Sequence, residues 1–224
     1  MIEIVAATRL GETEFMGTAA LGISLRRLEK DRRISAQVAC SNRRGLPEVY
    51  NARIAAANGV EAIVFTHDDV WLDDYFIADR VLEALRTYDV IGVAGNRRRV
   101  PGQPGWLFTD ANFTRDNAAN LSGAVAHGKQ PFAGVNRFGP VPADCELLDG
   151  VFLAANLRAL REKQVGFDPR FDFHCYDMDF CRTARERGLR LGTWPICITH
   201  QSPGAFGTEA WEKNFRAYIE KWGS

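Results

Sequence analysis

The sequence has 224 residues, of which 46% are hydrophobic, and its formal net charge at pH 7 is zero. This length and composition suit one α/β domain with its own core. The balance of 28 basic and 28 acidic residues gives no reason to expect a nucleic-acid partner, for which a basic excess is typical. No apolar run approaches the roughly 18 residues of a membrane span. The first residues are unlike a signal peptide, so a soluble, cytoplasmic protein is expected.

Apolar runs and helical periodicities alternate through the first 95 residues. The predicted strands are 2–7, 34–40, 61–65 and 89–94. The predicted helices are 18–30, 47–58 and 73–88. Pro47 suits the first turn of its helix, and Asn58-Gly59 suits the end of it. Such alternation is typical of a layered α/β domain with a parallel sheet.

The second part of the chain has a less regular pattern. Residues 95–144 contain many Gly, Pro, Asn and Arg residues and little periodicity, which predicts a long functional or mobile loop. An apolar stretch at 147–155, a short helix at 177–187 and strand residues within 189–199 follow. The amphipathic segment 208–222 predicts a helix that docks on its own domain, with a homodimer interface as the second possibility.

Residues 64–70 place carboxylates directly after a buried strand. Asp68 and Asp69 stand at the C-terminal end of that strand, the edge of an open α/β sheet where ligands bind. Neighbouring carboxylates repel each other unless a positive charge lies nearby. Mg²⁺ or Mn²⁺ would provide it, since these ions bind carboxylates together with substrate phosphates. The alternative is that both acids cap the next helix or are solvated.

A second group of acids lies among aromatic residues at 171–180. In such surroundings Asp177 or Asp179 could have a raised pKa and act as a general base. Alternatively, both are first-turn acids favoured by the helix dipole. His200 follows a predicted strand. A lone histidine is more often structural, but imidazole also supplements carboxylates as a ligand of ions such as Mn²⁺.

The order of these motifs resembles the GT-A fold of glycosyltransferases. The likeness is greatest to the family 2-like group and its bacterial branch named after streptomycin biosynthesis glycosyltransferase-like proteins. The segments that carry the resemblance are Tyr50-Asn51, 64–70, 93–95, 148–152, Phe167-Asp168, 176–181, 188–190 and 199–202. It implies one Rossmann-like α/β/α domain over 1–224 with a mostly parallel central sheet. The nucleotide-binding half would be 1–95, and the acceptor-binding half with the C-terminal helix would be 96–224.

The resemblance also implies roles for individual acids. Asp69 matches the last acid of the DxD motif, and His200 matches the strand-end histidine that completes metal binding. Both are therefore expected to bind Mn²⁺ or Mg²⁺. Asp177 matches the acid of the Glu-Asp motif and is the expected catalytic base, with Asp179 as the second choice.

Two positions depart from the family pattern. His67 replaces the first acid of the DxD motif, and Tyr176 replaces the Glu before Asp177. Because of the first departure, His67 is assigned to the nucleotide ribose or the donor sugar. The residues expected to bind the nucleotide-sugar are Ala7, Thr8, Arg9, Asn51, His67, Asp68, Asp149 and Gly150.

The implied activity is that of a metal-dependent, inverting glycosyltransferase of the hexosyltransferase class. It would move a sugar from a UDP-, GDP- or dTDP-sugar to a hydroxyl of a glycan or small-molecule acceptor. Residues 96–144 would form much of the acceptor wall, and Arg97 to Arg99 would meet phosphate charge or be solvated. A sugar-phosphate nucleotidyltransferase is less favoured, because no Gly-rich phosphate loop follows the first strand. A non-catalytic nucleotide-sugar- or glycan-binding relative is the other alternative, because of the residues at 67 and 176.

Overall fold

The computed structural model describes residues 1–202, 204 and 206–223. In chain order the strands are β1 (Ile2–Ala7), β2 (Ile34–Ala39), β3 (Ala62–Thr66), β4 (Val70–Leu72), β5 (Val90–Gly92), β6 (Ala94–Asn96), β7 (Leu121–His127), β8 (Gly134–Gly139), β9 (Ala143–Asp144), β10 (Leu147–Leu148), β11 (Phe152–Asn156), β12 (Leu191–Thr193) and β13 (Ile198–His200). The α-helices are α1 (Glu12–Thr18), α2 (Ala20–Leu28), α3 (Leu46–Ala56), α4 (Ile77–Ala84), α5 (Leu157–Glu162), α6 (Tyr176–Glu186) and α7 (Glu209–Trp222).

The central sheet has the strand order β2-β1-β3-β11-β5-β12-β9. β1 is parallel to β2 and β3, and β5 is parallel to β12. β11 is antiparallel to β3 and β5, and β9 is antiparallel to β12. All strands except β11 and β9 therefore run in one direction. The predicted α/β class with a mostly parallel central sheet is confirmed.

The inner strands of this sheet are mostly apolar and buried. Ile4 in β1 and Val64 and Phe65 in β3 have no exposed surface, as expected for parallel strands that are covered on both faces. Full burial of such a side chain stabilises the fold by roughly 1.5–3 kcal/mol. The same hydrophobic cluster extends to Tyr218 of α7. The polar residues that follow these strands are therefore positioned by a well-packed core.

A second sheet has the order β10-β6-β7-β13-β4, with β8 paired to β7. The chain leaves the central sheet after β5 and enters this sheet at β6, so the single strand predicted at 89–94 is two strands. The prediction of an irregular loop over residues 95–144 is wrong for residues 121–139, where β7 and β8 form an antiparallel hairpin, whereas residues 97–117 contain no helix or strand. β7 contains Gly and Ala among its buried residues, which weakens the hydrophobic pattern. Pairing with β6 and β13 decides its conformation.

Other elements differ from the prediction in length. The helix predicted at 73–88 is the shorter α4, because Asp73 precedes it with its carboxylate bound to Thr199 Oγ1 (2.6 Å) and Phe132 N (3.0 Å). The residues predicted as strand within 189–199 form β12 and β13, which belong to different sheets. Helix α5 was not predicted. It begins after Asn156, whose side chain accepts a hydrogen bond from Ala159 N (3.0 Å).

Helix α7 packs against its own chain, as the sequence predicted. Its residues Trp211 and Tyr218 are buried, and Lys221 Nζ lies 2.8 Å from Asp168 Oδ2. Among the described helices, none has the length and apolar character needed to cross a membrane.

Candidate functional site

Two histidines and an aspartate meet where strands of the two sheets end. His67 and Asp69 follow β3, and His200 is the last residue of β13. Each offers a ligand atom, and these atoms all lie within 4.8 Å of one another. The register of β13 with β4 pairs His200 with Val70, the residue after Asp69. The sequence assigned Asp69 and His200 to a metal and His67 to the donor, and the structure brings His67 into the same cluster.

The charges in this cluster suit a bound cation. Burial opposes ionisation of Asp69, but the hydrogen bond and the charge of His200 outweigh it and lower the pKa of Asp69 to about 2. Asp69 Oδ1 lies 3.3 Å from His200 Nε2. Burial also lowers the pKa of His67, against the opposing effect of Asp69. A charged carboxylate and a neutral imidazole are the ligand forms of these side chains.

The donor set indicates which cation would fit. Mg²⁺ prefers oxygen ligands in an octahedral arrangement, whereas imidazole nitrogen suits first-row transition ions. The cluster has imidazole rings from His67 and His200 with one carboxylate from Asp69. These residues therefore fit Mn²⁺ better than Mg²⁺.

Tyr176 fixes the orientation of His67. Its hydroxyl oxygen lies 2.9 Å from His67 Nε2, and the hydroxyl donates to the carbonyl oxygen of Gly150 at 2.9 Å. A phenol has one hydrogen, and a carbonyl can only accept. His67 Nε2–H must therefore donate to Tyr176, which leaves Nδ1 with the free lone pair of a metal ligand.

Gly150 allows Tyr176 and Asp177 to approach the strand ends closely. A Cβ atom on Gly150 would lie 2.5 Å from Tyr176 Oη and 2.9 Å from Asp177 Cβ. Its N–H donates to Asp177 Oδ2 at 3.0 Å. Asp149 and Gly150 line the same cavity as His67 and Asp177. The predicted donor residues of this segment are thus next to the predicted base.

Asp177 lies in the first turn of α6 and has a raised pKa. Burial is the main cause and the charge of Asp149 adds to it, so the pKa is about 6. Hydrogen bonds from the backbone N–H groups of Gly150 and Met178 oppose the rise. Met178 N lies 2.9 Å from Asp177 Oδ1. A carboxylate whose pKa is close to the operating pH is suited to general base catalysis.

Two predicted site residues have other partners. Asp179 is only 1% exposed, does not line the cavity, and lies with Oδ1 2.7 Å from Lys221 Nζ and 2.8 Å from Trp222 Nε1. These contacts attach Asp179 to α7. The side chain of Asn51 donates to the carbonyl of Phe167 (2.6 Å) and accepts from its N–H (2.8 Å). This amide joins α3 to the loop before α6 and is not free for a nucleotide.

The end of β1 borders a second, polar cavity. Ala7 is the last residue of β1, and Thr8 is 3% exposed with its hydroxyl oxygen bound to Leu10 N at 3.2 Å. Arg9 contributes to a cavity of about 410 Å³. The other residues of its lining are Ser41, Asn42 and Arg43. Of the three predicted residues here, Arg9 is the one that reaches this cavity.

The main cavity has a volume of about 660 Å³ and contains both the histidine cluster and Asp177. Asp68 does not line it, and its carbonyl accepts a hydrogen bond from Leu21 N at 3.1 Å. His127 lines the cavity beside His200, because β7 and β13 pair these two residues in register. No pattern in the sequence pointed to His127, since β7 lies in the stretch that lacked a strand pattern.

The arginine run at 97–99 is not part of this cavity lining. Arg98 binds both carboxylate oxygens of the buried Asp116, at 2.6 and 3.0 Å. It therefore anchors its loop. Trp106 does line the cavity and packs edge-on against Phe138, with ring centroids 4.9 Å apart.

Comparison with known proteins places the fold. No protein-family model matches the chain, and no curated protein matches its sequence. GalNAc-T7, solved with UDP, GalNAc and Mn²⁺, has a TM-score of 0.56 at 12% identity over 98% of this chain and 47% of that one. A mutant of Drosophila β1,4-galactosyltransferase 7 with manganese, UDP-Gal and xylobiose has 0.53 at 10% identity, over 96% and 79%. The mannosyltransferase PcManGT from Pyrobaculum calidifontis, with GDP-Man and Mn²⁺, has 0.49 at 15% identity, over 96% and 60%.

The two likenesses with TM-scores above 0.5 show that the chain has the GT-A fold of glycosyltransferases. At 10% and 12% identity they show the fold alone. The chain spans about half of GalNAc-T7 and 60% of PcManGT. A shared fold does not by itself assign an activity to this chain.

Proposed function

We propose that this protein is an inverting, Mn²⁺-dependent glycosyltransferase of the family 2-like group that uses a nucleotide-sugar donor. One observation carries the proposal: the His67, Asp69 and His200 cluster and the carboxylate of Asp177 line the same cavity. A cation site next to a carboxylate of raised pKa is what transfer from a diphosphate donor to a hydroxyl requires. The GT-A fold supports it.

The donor would lie between the two cavities. Ala7, Thr8 and Arg9 at the end of β1 would border the nucleotide. Arg9 and Arg43 give the polar cavity a positive charge that attracts phosphate. Asp69, His200 and His67 would hold the cation, with Asp149 and Gly150 beside the donor sugar. When bound, the cation neutralises the charge that develops on the diphosphate leaving group.

Asp177 would act as the base. The N–H groups of Gly150 and Met178 hold its carboxylate in place. As the acceptor oxygen attacks the anomeric carbon, Asp177 takes the hydroxyl proton and the bond to the nucleoside diphosphate breaks. One displacement on the face opposite the leaving group inverts the configuration at that carbon. No covalent intermediate with the protein is needed.

The proposal is tested by donor binding. The wild type and Asp69→Ala are titrated with UDP-, GDP- and dTDP-sugars, with and without Mn²⁺, while thermal unfolding is followed. Asp172→Ala is the matched control, because Asp172 is exposed and is not part of the cavity lining. A donor at 100 times its Kd should stabilise the wild type and the control by about 2.7 kcal/mol. This effect should need Mn²⁺ and be absent in Asp69→Ala.

Turnover separates the proposed function from its alternative. Release of nucleoside diphosphate should be seen with the wild type and lost in Asp177→Asn. Donor binding without any transfer by the wild type would indicate a non-catalytic nucleotide-sugar-binding relative. The absence of stabilisation by all donors in the presence of Mn²⁺ would contradict the proposal.

A further inference from the structure

The cavity has a positively charged wall away from the histidine cluster. Arg115 and Arg137 both line it. Within residues 1–202, 204 and 206–223, neither guanidinium group has a hydrogen bond or an ion pair to a side chain. The cavity-lining acids, Asp149 and Asp177, belong to the segment before β11 and to α6. These two arginines thus face the cavity with their charge uncompensated by a neighbouring carboxylate.

A β-bulge lies next to Arg137 in β8. Gly123 of β7 pairs with Gly139 of β8, but the next residue, Ala124, pairs with Arg137. The extra residue in β8 is Phe138. A bulge redirects side chains that would otherwise alternate between the faces of a strand. Here the consecutive residues Arg137 and Phe138 both line the cavity.

Arg115 is held against the same aromatic ring. Its Cζ atom lies 5.5 Å from the ring centroid of Phe138, within the range of a cation–π contact. Phe138 also packs on Trp106, with centroids 4.9 Å apart. Both rings are buried, at 9% exposure for Phe138 and 7% for Trp106, so they position the guanidinium group of Arg115 at the wall.

The register of the second sheet separates these arginines from the cation site. His200 pairs with His127, and His127 pairs with Gly134 of β8. β13 and β8 are two strand spacings apart, which is about 10 Å across the sheet. Arg137 lies three residues from Gly134, which is about 10 Å along β8. A diphosphate bound at the cluster would lie at the His200 end. The arginines instead line the part of the cavity beyond that end, where an acceptor would lie.

We propose that the acceptor is an anionic saccharide whose carboxylate or phosphate group is bound by Arg115 and Arg137. This inference rests on the proposed function, since it concerns the acceptor of that reaction. Arginine binds carboxylates and phosphates through parallel N–H donors, which gives both affinity and orientation. The cation–π contact with Phe138 holds the Arg115 guanidinium in place before an anion binds.

The experiment measures acceptor binding by isothermal titration in the presence of UDP and Mn²⁺. The probes are methyl glucuronide and methyl galacturonide, glucose 6-phosphate and galactose 6-phosphate, and the neutral methyl glucoside and methyl galactoside. The proteins are the wild type, the double variant Arg115→Gln/Arg137→Gln and the control Arg32→Gln, which changes an exposed arginine outside the cavity lining. The wild type and the control should bind one acidic probe roughly 10- to 100-fold more tightly than its neutral counterpart. The double variant should lose this preference and bind UDP with Mn²⁺ unchanged.

Each outcome separates this inference from the proposed function. Equal binding of acidic and neutral probes, or no binding of any acidic probe, by wild type that binds UDP would overturn the inference and leave the function intact. Weaker UDP binding by the double variant would also overturn it, since the arginines would then serve the donor. A preference for acidic sugars without any binding of nucleotides would count against the proposed glycosyltransferase and would overturn the inference with it, since the arginines would then form an anion site that serves no acceptor. Comparison of the uronides with the sugar phosphates identifies which anion is bound.

Discussion

The hydroxyl oxygen of Tyr176 lies 2.9 Å from Nε2 of His67, and these are the two positions at which the sequence departs from the glycosyltransferase motifs that it resembles. The histidine stands where an acid of the metal motif is expected, and the tyrosine stands where the Glu before the base is expected. In the structure Tyr176 orients His67. The two departures therefore meet in one hydrogen bond.

Tyr176→Phe should weaken Mn²⁺ binding. The substitution removes the hydrogen bonds to His67 and Gly150, and loss of such a partner of a ligand reduces metal affinity by roughly 10- to 100-fold. Mn²⁺ affinity is measured by the electron paramagnetic resonance signal of the free ion. Tyr75→Phe is the control, because Tyr75 is 57% exposed. Unchanged affinity in Tyr176→Phe would show that His67 needs no such partner.

Gly150→Ala should disturb the site through steric overlap. The added Cβ would lie 2.5 Å from Tyr176 Oη, and Tyr176 is only 3% exposed, so it has little room to move. Overpacking of this kind costs about 1–3 kcal/mol of unfolding free energy. We expect a lower urea midpoint together with weaker Mn²⁺ binding. Gly17→Ala, in α1 with no heavy atom within 4 Å of the new Cβ, should keep both values or gain slightly in stability.

Asp177→Asn should stabilise the protein at high pH while abolishing transfer. The pKa of Asp177 is raised from 3.8 to about 6, so the folded state holds this proton over a pH range in which the unfolded chain has lost it. Stability therefore falls as pH rises from about 4 to about 6, by at most about 3 kcal/mol. The variant should unfold at a higher temperature than wild type at pH 8, and this difference should vanish near pH 4. Equal unfolding temperatures at pH 8 would contradict the raised pKa.

The transfer rate of the wild type should depend on the same group. A base must be deprotonated to accept the acceptor proton, so kcat/KM should rise with pH and level off above about 6. Initial rates of nucleoside diphosphate release between pH 4.5 and 8.5, at saturating Mn²⁺, measure this profile. A rate that is flat across this range would exclude Asp177 as the base.

Lys221→Ala should destabilise the docking of α7. The substitution leaves the carboxylate of Asp179, which is 1% exposed, without its charged partner, at a cost of about 3 kcal/mol. Adding Asp179→Asn should recover most of this loss, because the buried charge is then removed as well. Lys213→Ala, at an exposed position of the same helix, should change the urea midpoint little. A full loss in the double variant would mean that Lys221 acts through packing alone.

The site residues that the sequence predicted could be identified from short local segments. Asp69 lies directly after an apolar strand, and Asp177 lies in the first turn of a helix that begins within an aromatic segment. His200 ends a strand. Each position could be read from local pattern and motif order, although their roles stay predictions. Asp179 could not be separated from Asp177 by the same pattern, because both occupy the first turn of α6 and only the packing of α7 shows that Asp179 faces Lys221.

By itself, the sequence determined the α/β class, the direction of the first strands and the carboxylates at their ends, because these follow from apolar runs and from residues a few positions apart. The tertiary structure decided the pairs that lie far apart in the chain. It paired β7 with β13, which brought His127 beside His200, and it placed Tyr176 against His67 across Gly150. Strand pairing and close packing of buried groups depend on the whole fold, and no local pattern contains them.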